Sequence, residues 1–431
     1  MRLILSVFIS VFILISSSST FAQIIITEIN YNSDSTTNSG NWVELYNKSA
    51  SMVDISDWKI KNALNVTYSF PSGTQLNGLS YIVVVQDLIK FNSIHSAVTN
   101  KIGSSNVDFG NSGDNVQLLN ASSAFVTSVS YTDSAFWPRG ADGFGRTLEL
   151  NDYNGNQNDG ANWFDGCMFG SPGVAYTPCN PDIVFSEINY NSNPSFDAGD
   201  WLELHNTTSS NISLNGYSMK DSKDSNIYFI PNNITLPANG YRVLCANVTY
   251  FLGRHPTVTN VNGPFSFGFK SKGEAIRLFG ADGKLKFSVL YDNKAPWPTS
   301  PDSLGYTLEL SDDHGKMDNA ENWFAGCFEG SPGVAYDPDC GNGISEIKNA
   351  SFTFELLNSL NDHSVLIKVS GLNPSVHSMY KVSDVSGREI FSSSILNGTN
   401  ELNTFPLSAG LYIATIYSGN EKQSIKFVKP L

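Results

Sequence analysis

Charge is scarce in this chain, and basic charge scarcer still. Charged residues make up 15% of 431 positions, with 26 Lys+Arg against 40 Asp+Glu. The imbalance is local. Residues 341–431 hold seven of each sign, whereas residues 23–340 hold 18 basic and 33 acidic residues, a net charge near −15. That sign repels nucleic acid backbones and anionic lipid surfaces, so no nucleic acid partner is expected. It is compatible with cation binding without being evidence for it. Histidine and cysteine are also few, at six and five. The chain has no His-Glu-x-x-His, no Gly-x-Ser-x-Gly and no P-loop, which removes the usual signatures of zinc peptidases, serine hydrolases and P-loop nucleotide hydrolases. After residue 22 no apolar run is long enough to span a bilayer, so the mature chain is expected to carry no transmembrane segment.

The first 22 residues differ from the rest. Arg2 precedes an apolar run, Leu3 to Ile15, and Thr20-Phe21-Ala22 ends in a small residue before Gln23. This reads as a signal peptide (1–22) cut between Ala22 and Gln23, with a run too short to serve as an anchor.

What is present is a duplication. Ile24 to Asn47 reads IIITEINYNSDSTTNSGNWVELYN, and Ile183 to Asn206 reads IVFSEINYNSNPSFDAGDWLELHN. Glu28 and Glu187, like Trp42 and Trp201, are 159 positions apart, and a fixed offset marks an internal repeat. The runs alternate at the period of a half-buried strand. Trp42, Glu44 and Tyr46 share one face; Val43, Leu45 and Asn47 share the other. Neither face is purely apolar, which places the tryptophan at a sheet edge or under the polar loop. Each copy ends in a repeated tail: Trp137-Pro138 and Trp297-Pro298, then Thr-Leu-Glu-Leu, Asn-Trp-Phe, and Gly-Ser-Pro-Gly-Val-Ala-Tyr at 170–176 and 330–336.

This pattern, Glu-Ile-x-Tyr-Asn, then Trp-x-Glu-Leu-x-Asn, then Trp-Phe and Ser-Pro-Gly, resembles the lamin-tail domain, an immunoglobulin-like β-sandwich of nuclear lamins and of many exported bacterial proteins. The resemblance covers roughly 24–178 and 183–338, and implies that each tail packs back on its own sandwich.

Between these motifs the chain reads as short strands. In copy one they are 57–60, 66–70, 81–85, 116–119 and 124–131, with one short helix at 87–95 and a hairpin turn at 120–123. Copy two repeats them at 217–220, 227–230, 241–246, 275–279 and 285–291, with a turn at Ala281-Asp282-Gly283 that needs positive φ. Many short strands at this spacing argue for a sandwich. Residues 341–350 read as a linker. Residues 351–431 have strand runs at 352–357, 364–370, 379–384, 389–395 and 411–417. They resemble the C-terminal sorting domain of the type IX (Por) secretion system of Bacteroidetes. The matching residues are Val382-x-Asp384-x-x-Gly387-Arg388, Leu407-Ser408-Ala409-Gly410-Leu411-Tyr412-Ile413, and the basic end Lys426-Phe427-Val428-Lys429. That resemblance implies export by the type IX machinery as partner, removal of this domain, and release or surface attachment.

The cysteines and carboxylates remain. Cys167 with Cys179, and Cys327 with Cys340, sit at the same place in the two copies after Trp-Phe-x-Gly, and read as two loop-closing disulfides, each worth about 2–3 kcal/mol. Two cysteines without nearby histidine cannot fill a zinc site. Cys245 lies in a strand-like run and reads as a buried free thiol. Glu28, Glu44, Glu187 and Glu203 form the repeated carboxylates. A glycosidase would need such a pair about 5–10 Å apart in a cleft. The plainer reading is that they bond loop amides or pair with a base. The loops 151–160 and 311–319 read first as solvated turns and second as calcium loops, with Asp152, Asn154, Asp312 and Asp313 as candidate ligands. Neither fits an EF-hand: the glycine is misplaced, and Trp163 stands where the bidentate Glu belongs.

The expectation is an all-β chain. Two tandem immunoglobulin-like sandwiches, 23–180 and 181–340, precede a small β-sandwich sorting domain at 351–431. Its job is binding or adhesion outside the cell, to a glycan if aromatics are exposed on the sandwich loops or to a basic protein surface if an acidic face is, without catalysis and without a required cofactor. The alternatives are an accessory module for an exported hydrolase, or a structural surface spacer.

Overall fold

The computed structural model describes residues 23–134, 136–338, 340, 351–361, 364–384, 388–404, 407–408, 410–419 and 421–429. The expected signal peptide, 1–22 with its cut after Ala22, and the expected linker 341–350 lie outside the described residues; Gln23 is exposed. The chain forms two compact units, one running to Ala335 and one from Tyr336 to Leu431, so both copies of the repeat belong to one unit.

Copy one is a sandwich of a six-stranded and a four-stranded sheet. The six-stranded sheet runs Trp163–Asp165, Leu148–Leu150, Ile24–Asn30, Trp42–Asn47, Tyr81–Val85, Lys101–Ile102. All its pairings are antiparallel except the last. The facing sheet runs Phe125–Thr132, Gly113–Leu119, Lys59–Lys61, Thr67–Ser69. Copy two has the same plan, with Leu285–Tyr291 as the edge strand of its four-stranded sheet. The expected strands are present; half of them are shorter by a residue or two, and Gly113–Leu119 starts three residues before the expected 116. The tail does pack back: Leu148–Leu150 and Tyr306–Leu310 extend the large sheets beside the first strands.

A bulge sets which side chains face the core. Ile26 opposes Leu45 and Ile29 opposes Val43, both core positions, whereas Glu28 opposes Glu44 on the outer face. Strict alternation would put Ile26 and Glu28 on one face. The register shift between them turns the glutamate outward and lets Ile29 rejoin the core. Copy two shifts between Phe185 and Glu187.

Trp42 is not at an edge. Its strand is central, and the ring is fully buried on the outer face against Val83, Val85 and Phe91. Phe91 belongs to the helix Leu88–Ile94, capped by the Asp87 side chain, which accepts from the Ile89 and Lys90 N–H groups. The polar loop completes the cover, since Trp42 Nε1 donates to Ser39 Oγ at 3.1 Å. A matching helix, Val248–Arg254, covers Trp201 in copy two.

The unit from Tyr336 to Leu431 is a sandwich of two sheets. One sheet holds Thr353–Asn361, Ser364–Ser370 and Gly398–Asn403; the other holds Glu389–Ser394, Ser378–Asp384, Gly410–Ser418 and Glu421–Lys429. Ile367, Val382, Leu402, Ala414 and Ile416 fill its core. Two of these strands, Gly398–Asn403 and the basic C-terminal one, go beyond the expected five.

The two copies are joined through a buried guanidinium. Arg146, fully enclosed, donates from Nη1 to Gly166 O at 2.9 Å in its own copy and from Nη2 to Ser288 O at 2.6 Å in copy two. Its Nε lies 3.7 Å from Asp318 Oδ2, and its face lies over the Phe287 ring. Cys167 and Cys179 form a disulfide, and this closed loop packs with Met168 and Tyr176 against the core of copy two. Cys327 and Cys340 are also disulfide-bonded, and Cys245 is free and buried. Removing one partner of a buried ion pair strands the other charge. Arg146→Ala is therefore expected to lower unfolding free energy by about 3 kcal/mol in urea titrations, and an unchanged midpoint would show that this contact holds nothing together.

Candidate binding site

The repeated glutamates come together, but not in a cleft. Glu28 lies opposite both Glu44 and Glu149 on adjacent strands, and Glu187 lies opposite Glu203 and Glu309. All six are buried. Glu149 and Glu309 complete each triad; they stand in the repeated Thr-Leu-Glu-Leu run, which was legible as a repeat but not as a partner of the other two. The triads bond the Ser-Pro-Gly loop. Glu28 Oε1 accepts from Ser171 N at 3.0 Å and Thr147 Oγ1 at 2.7 Å. Glu44 accepts from Gly173 N at 2.6 Å and Thr27 Oγ1 at 2.7 Å, and Glu149 accepts from Ser171 Oγ at 2.5 Å. In copy two Glu187 and Glu203 hold the Ser331 and Gly333 N–H groups. The loop glycine is required here: Gly170 sits at φ +82, and a side chain on it would collide with Glu28. The carboxylates therefore bond loop amides, and their described partners include no base.

Three carboxyls in one buried cluster cannot all ionise. Burial raises the pKa of Glu44 to about 8 and of Glu149 to about 7, and burial with repulsion from Glu149 holds Glu28 well above its ordinary range. Burial likewise lifts Glu187 to about 7 and, with repulsion from Glu187, raises Glu203. The unfolded chain loses these protons near pH 4.5, while the folded chain keeps those of Glu44, Glu149 and Glu187 to about pH 7–8 and holds Glu28 and Glu203 raised as well. Between those limits the folded state binds more protons, so stability falls as pH rises. The melting temperature is expected to be lower at pH 8 than at pH 5 by on the order of 5 °C. Glu44→Gln, whose amide can still bond Gly173 and Thr27, is expected to shrink that difference. A melt independent of pH over this range would contradict the protonated triads.

The acidic loops are locally committed. Asp152 Oδ1 accepts from Asn154 N at 2.9 Å, Asn154 Oδ1 from Lys48 Nζ at 2.7 Å, and Asp312 Oδ1 from His314 N at 2.9 Å. Asp313 pairs with His205, which stacks on Tyr241. Among the described residues no group of three or more His, Cys, Asp or Glu is placed to hold a metal ion.

An open site lies between the copies. It is a cleft of about 620 Å³ whose walls are the two Trp-Pro turns: Phe136, Trp137 and Pro138 from copy one, Pro296 and Trp297 from copy two. Trp137 backs onto Trp163 at 5.9 Å between ring centroids, and Trp297 onto Trp323 at 6.0 Å, so each wall is braced by the following Asn-Trp-Phe motif. Phe136 stands out into solvent, 86% exposed. The Arg139–Asp292 ion pair, at 3.2 Å, bridges the copies across the lining. Asp165 and Asp318 also line it, and both are buried. Asp165 Oδ1 accepts from Ala141 N at 3.0 Å, and Asp318 Oδ1 from Leu290 N at 2.5 Å. Burial and the nearby Asp318 push Asp165 up to about 8, and burial pushes Asp318 to about 6 against the pull of Arg146. Arg146 is thus balanced near neutral pH by one ionised aspartate while the other keeps its proton. The tryptophans were legible as repeated tail motifs, but not as the walls of a cleft; Arg146, Asp165 and Asp318 were not singled out from sequence. Arg146 replaces Tyr306 of the other copy, Asp165 replaces Ala325 and Asp318 replaces Asn158, so the signal was divergence within the repeat.

The Lamin Tail Domain family model matches residues 17–133 and 177–292, more than half of the chain, and the chain belongs to that family. The model of a Secretion system C-terminal sorting domain matches residues 362–430, which marks the chain for type IX export to the cell surface or beyond. No curated protein matches it. Among solved structures it is similar to a biofilm associated protein BSP domain, at 12% identity and TM-score 0.18 over 96% of this chain and 82% of that one. It is also similar to PorZ, a surface component of the type IX secretion system of Porphyromonas gingivalis, at 12% identity and TM-score 0.15 over 94% and 44%. An exo-chitosanase of Amycolatopsis orientalis is matched at 16% identity and TM-score 0.15 over 57% and 26%. Likenesses this loose carry no functional information. Among the described residues no helix is long and apolar enough to cross a membrane.

Proposed function

We propose that this is a non-catalytic binding protein displayed or released outside the cell, which takes a carbohydrate ligand in the cleft between its two copies. The cleft carries the reading. Its volume is in the range of ligand sites, and its apolar walls come with a few charged groups. Sugar rings present C–H faces that pack on aromatic and proline rings, and hydroxyls that bond carboxylates and guanidinium groups. Phe136 and Trp297 offer the first kind of contact; Asp133, Arg139 and Asp292 offer the second. The paired aspartates support binding over hydrolysis, because each already holds a backbone amide beside Arg146.

A glycan array probed with the purified full chain tests this. Phe136→Ala is expected to weaken a hit about tenfold or more while leaving the melt unchanged, and Trp297→Ala to weaken it as much with a lowered melt, since its ring also packs on Trp323. Silence across the array, or hits indifferent to both changes, would move the reading to a surface spacer.

The sorting domain acts, in this reading, as an export address cut off after transit. Mass spectrometry of the exported protein is expected to find peptides of residues 23–335 without those of 351–429. Recovery of the C-terminal peptides from the mature form would contradict that role.

A further inference from the structure

The contact between the copies is heterologous, so each copy leaves one half of it unmatched. Copy one contributes the turn before its Thr-Leu-Glu-Leu strand and the start of its disulfide loop. Phe144 O accepts from Ser288 Oγ at 2.6 Å, Arg146 donates to Ser288 O, and Gly145 and Met168 lie against Leu285 and Ser288. Copy two contributes the edge strand Leu285–Tyr291, whose Leu285 N–H donates to Thr36 Oγ1 of copy one at 2.9 Å. Within copy two, the face equivalent to the copy-one contribution is open. Leu304 stands at the place of Phe144, Tyr306 at that of Arg146, and Phe328 at that of Met168, with exposures of 57%, 37% and 47%. Phe196, at the place of Thr37, packs edge-on against Phe328 and is also exposed. Within copy one, the strand equivalent to Leu285–Tyr291 is Phe125–Thr132. It too is a sheet edge, and Phe125, at the place of Leu285, is 65% exposed.

The substitutions at the two open halves run in one direction. The buried charges of the internal contact are absent from both: Tyr306 stands for Arg146, Ala325 for Asp165, and Asn158 for Asp318. Arg254, beside Phe196, is already paired with Glu329. One half is a cluster of exposed aromatic and aliphatic side chains, larger than scattered surface apolar residues require; the other is an uncharged strand edge headed by Phe125.

We propose that the open face of copy two around Tyr306 and Phe328 docks on the Phe125–Thr132 edge of copy one in a second molecule of this chain. The contact joining the copies within one molecule is thereby continued between molecules. Such a head-to-tail contact does not close on itself in a pair, so it builds strings rather than a two-fold dimer. Strings of molecules that each carry an inter-copy cleft multiply weak binding into avidity, which suits an adhesive surface layer.

Sedimentation velocity of the full chain over about 1–100 µM, at about 0.15 M salt to screen repulsion between acidic molecules, tests it. Average mass is expected to grow steadily with concentration. Phe328→Glu and Phe125→Glu, both on the surface and checked for an unchanged melt, are each expected to weaken association about tenfold or more. Phe328→Ser and Phe125→Ser serve where a glutamate lowers the melt. An equimolar mixture of the two variants retains one sound face of each kind and is expected to stop at dimers. A monomer at every concentration, growth indifferent to both changes, or failure of the mixture to pair would overturn the proposal.

Discussion

The Arg146 guanidinium is the contact on which the geometry of the two copies turns. A cation with no solvent exposure has to be satisfied from several directions, and its partners come from both copies: Gly166 from one, Ser288, Phe287 and Asp318 from the other. Asp165 and Asp318 together would over-compensate it, so one keeps a proton and the group stays close to neutral in a medium that penalises net charge. The consequence is positional. With the two sandwiches set by this cluster, their Trp-Pro turns face one another across a fixed gap, and that gap is the cleft.

Each copy uses a second kind of buried polar cluster for a different purpose. The glutamate triads do not join copies; they hold each copy's own Ser-Pro-Gly loop against its first strands. That arrangement survives in both copies because both need their tails held. The residues at the inter-copy contact have diverged because a heterologous contact asks different things of its two sides. Duplication followed by this divergence explains why the most similar positions are structural and the most informative ones are those that differ.

Much of the fold was legible in the chain. The duplication, the β-branched run Tyr81–Val85, the partial alternation of Leu285–Tyr291, and the turn glycine at 283, which adopts φ +70, all report local preferences that the tertiary structure obeys. The glutamates' partners were legible in kind, as loop amides, because a repeated carboxylate beside a repeated glycine loop needs little more. Three features were not. The bulge at Ile26 to Glu28 breaks the period on which strand faces are read. Trp42 lies in a central strand because a short helix supplies a second apolar layer outside the sheet, and helix cover leaves no mark on the strand itself. The cleft depends on Arg146, Asp165 and Asp318 meeting across more than 150 positions, and single-copy patterns carry no trace of that meeting.

The claim beneath both proposals is that the two copies behave as one body. Pulsed hydrogen exchange read by mass spectrometry across a urea series follows Ile24–Asn30 and Ile183–Asn189, the first strand of each copy, in the same sample. Both are expected to lose protection at a single midpoint, since neither sandwich keeps its closing partner once the other unfolds. Two midpoints, with one copy open while the other remains protected, would contradict it.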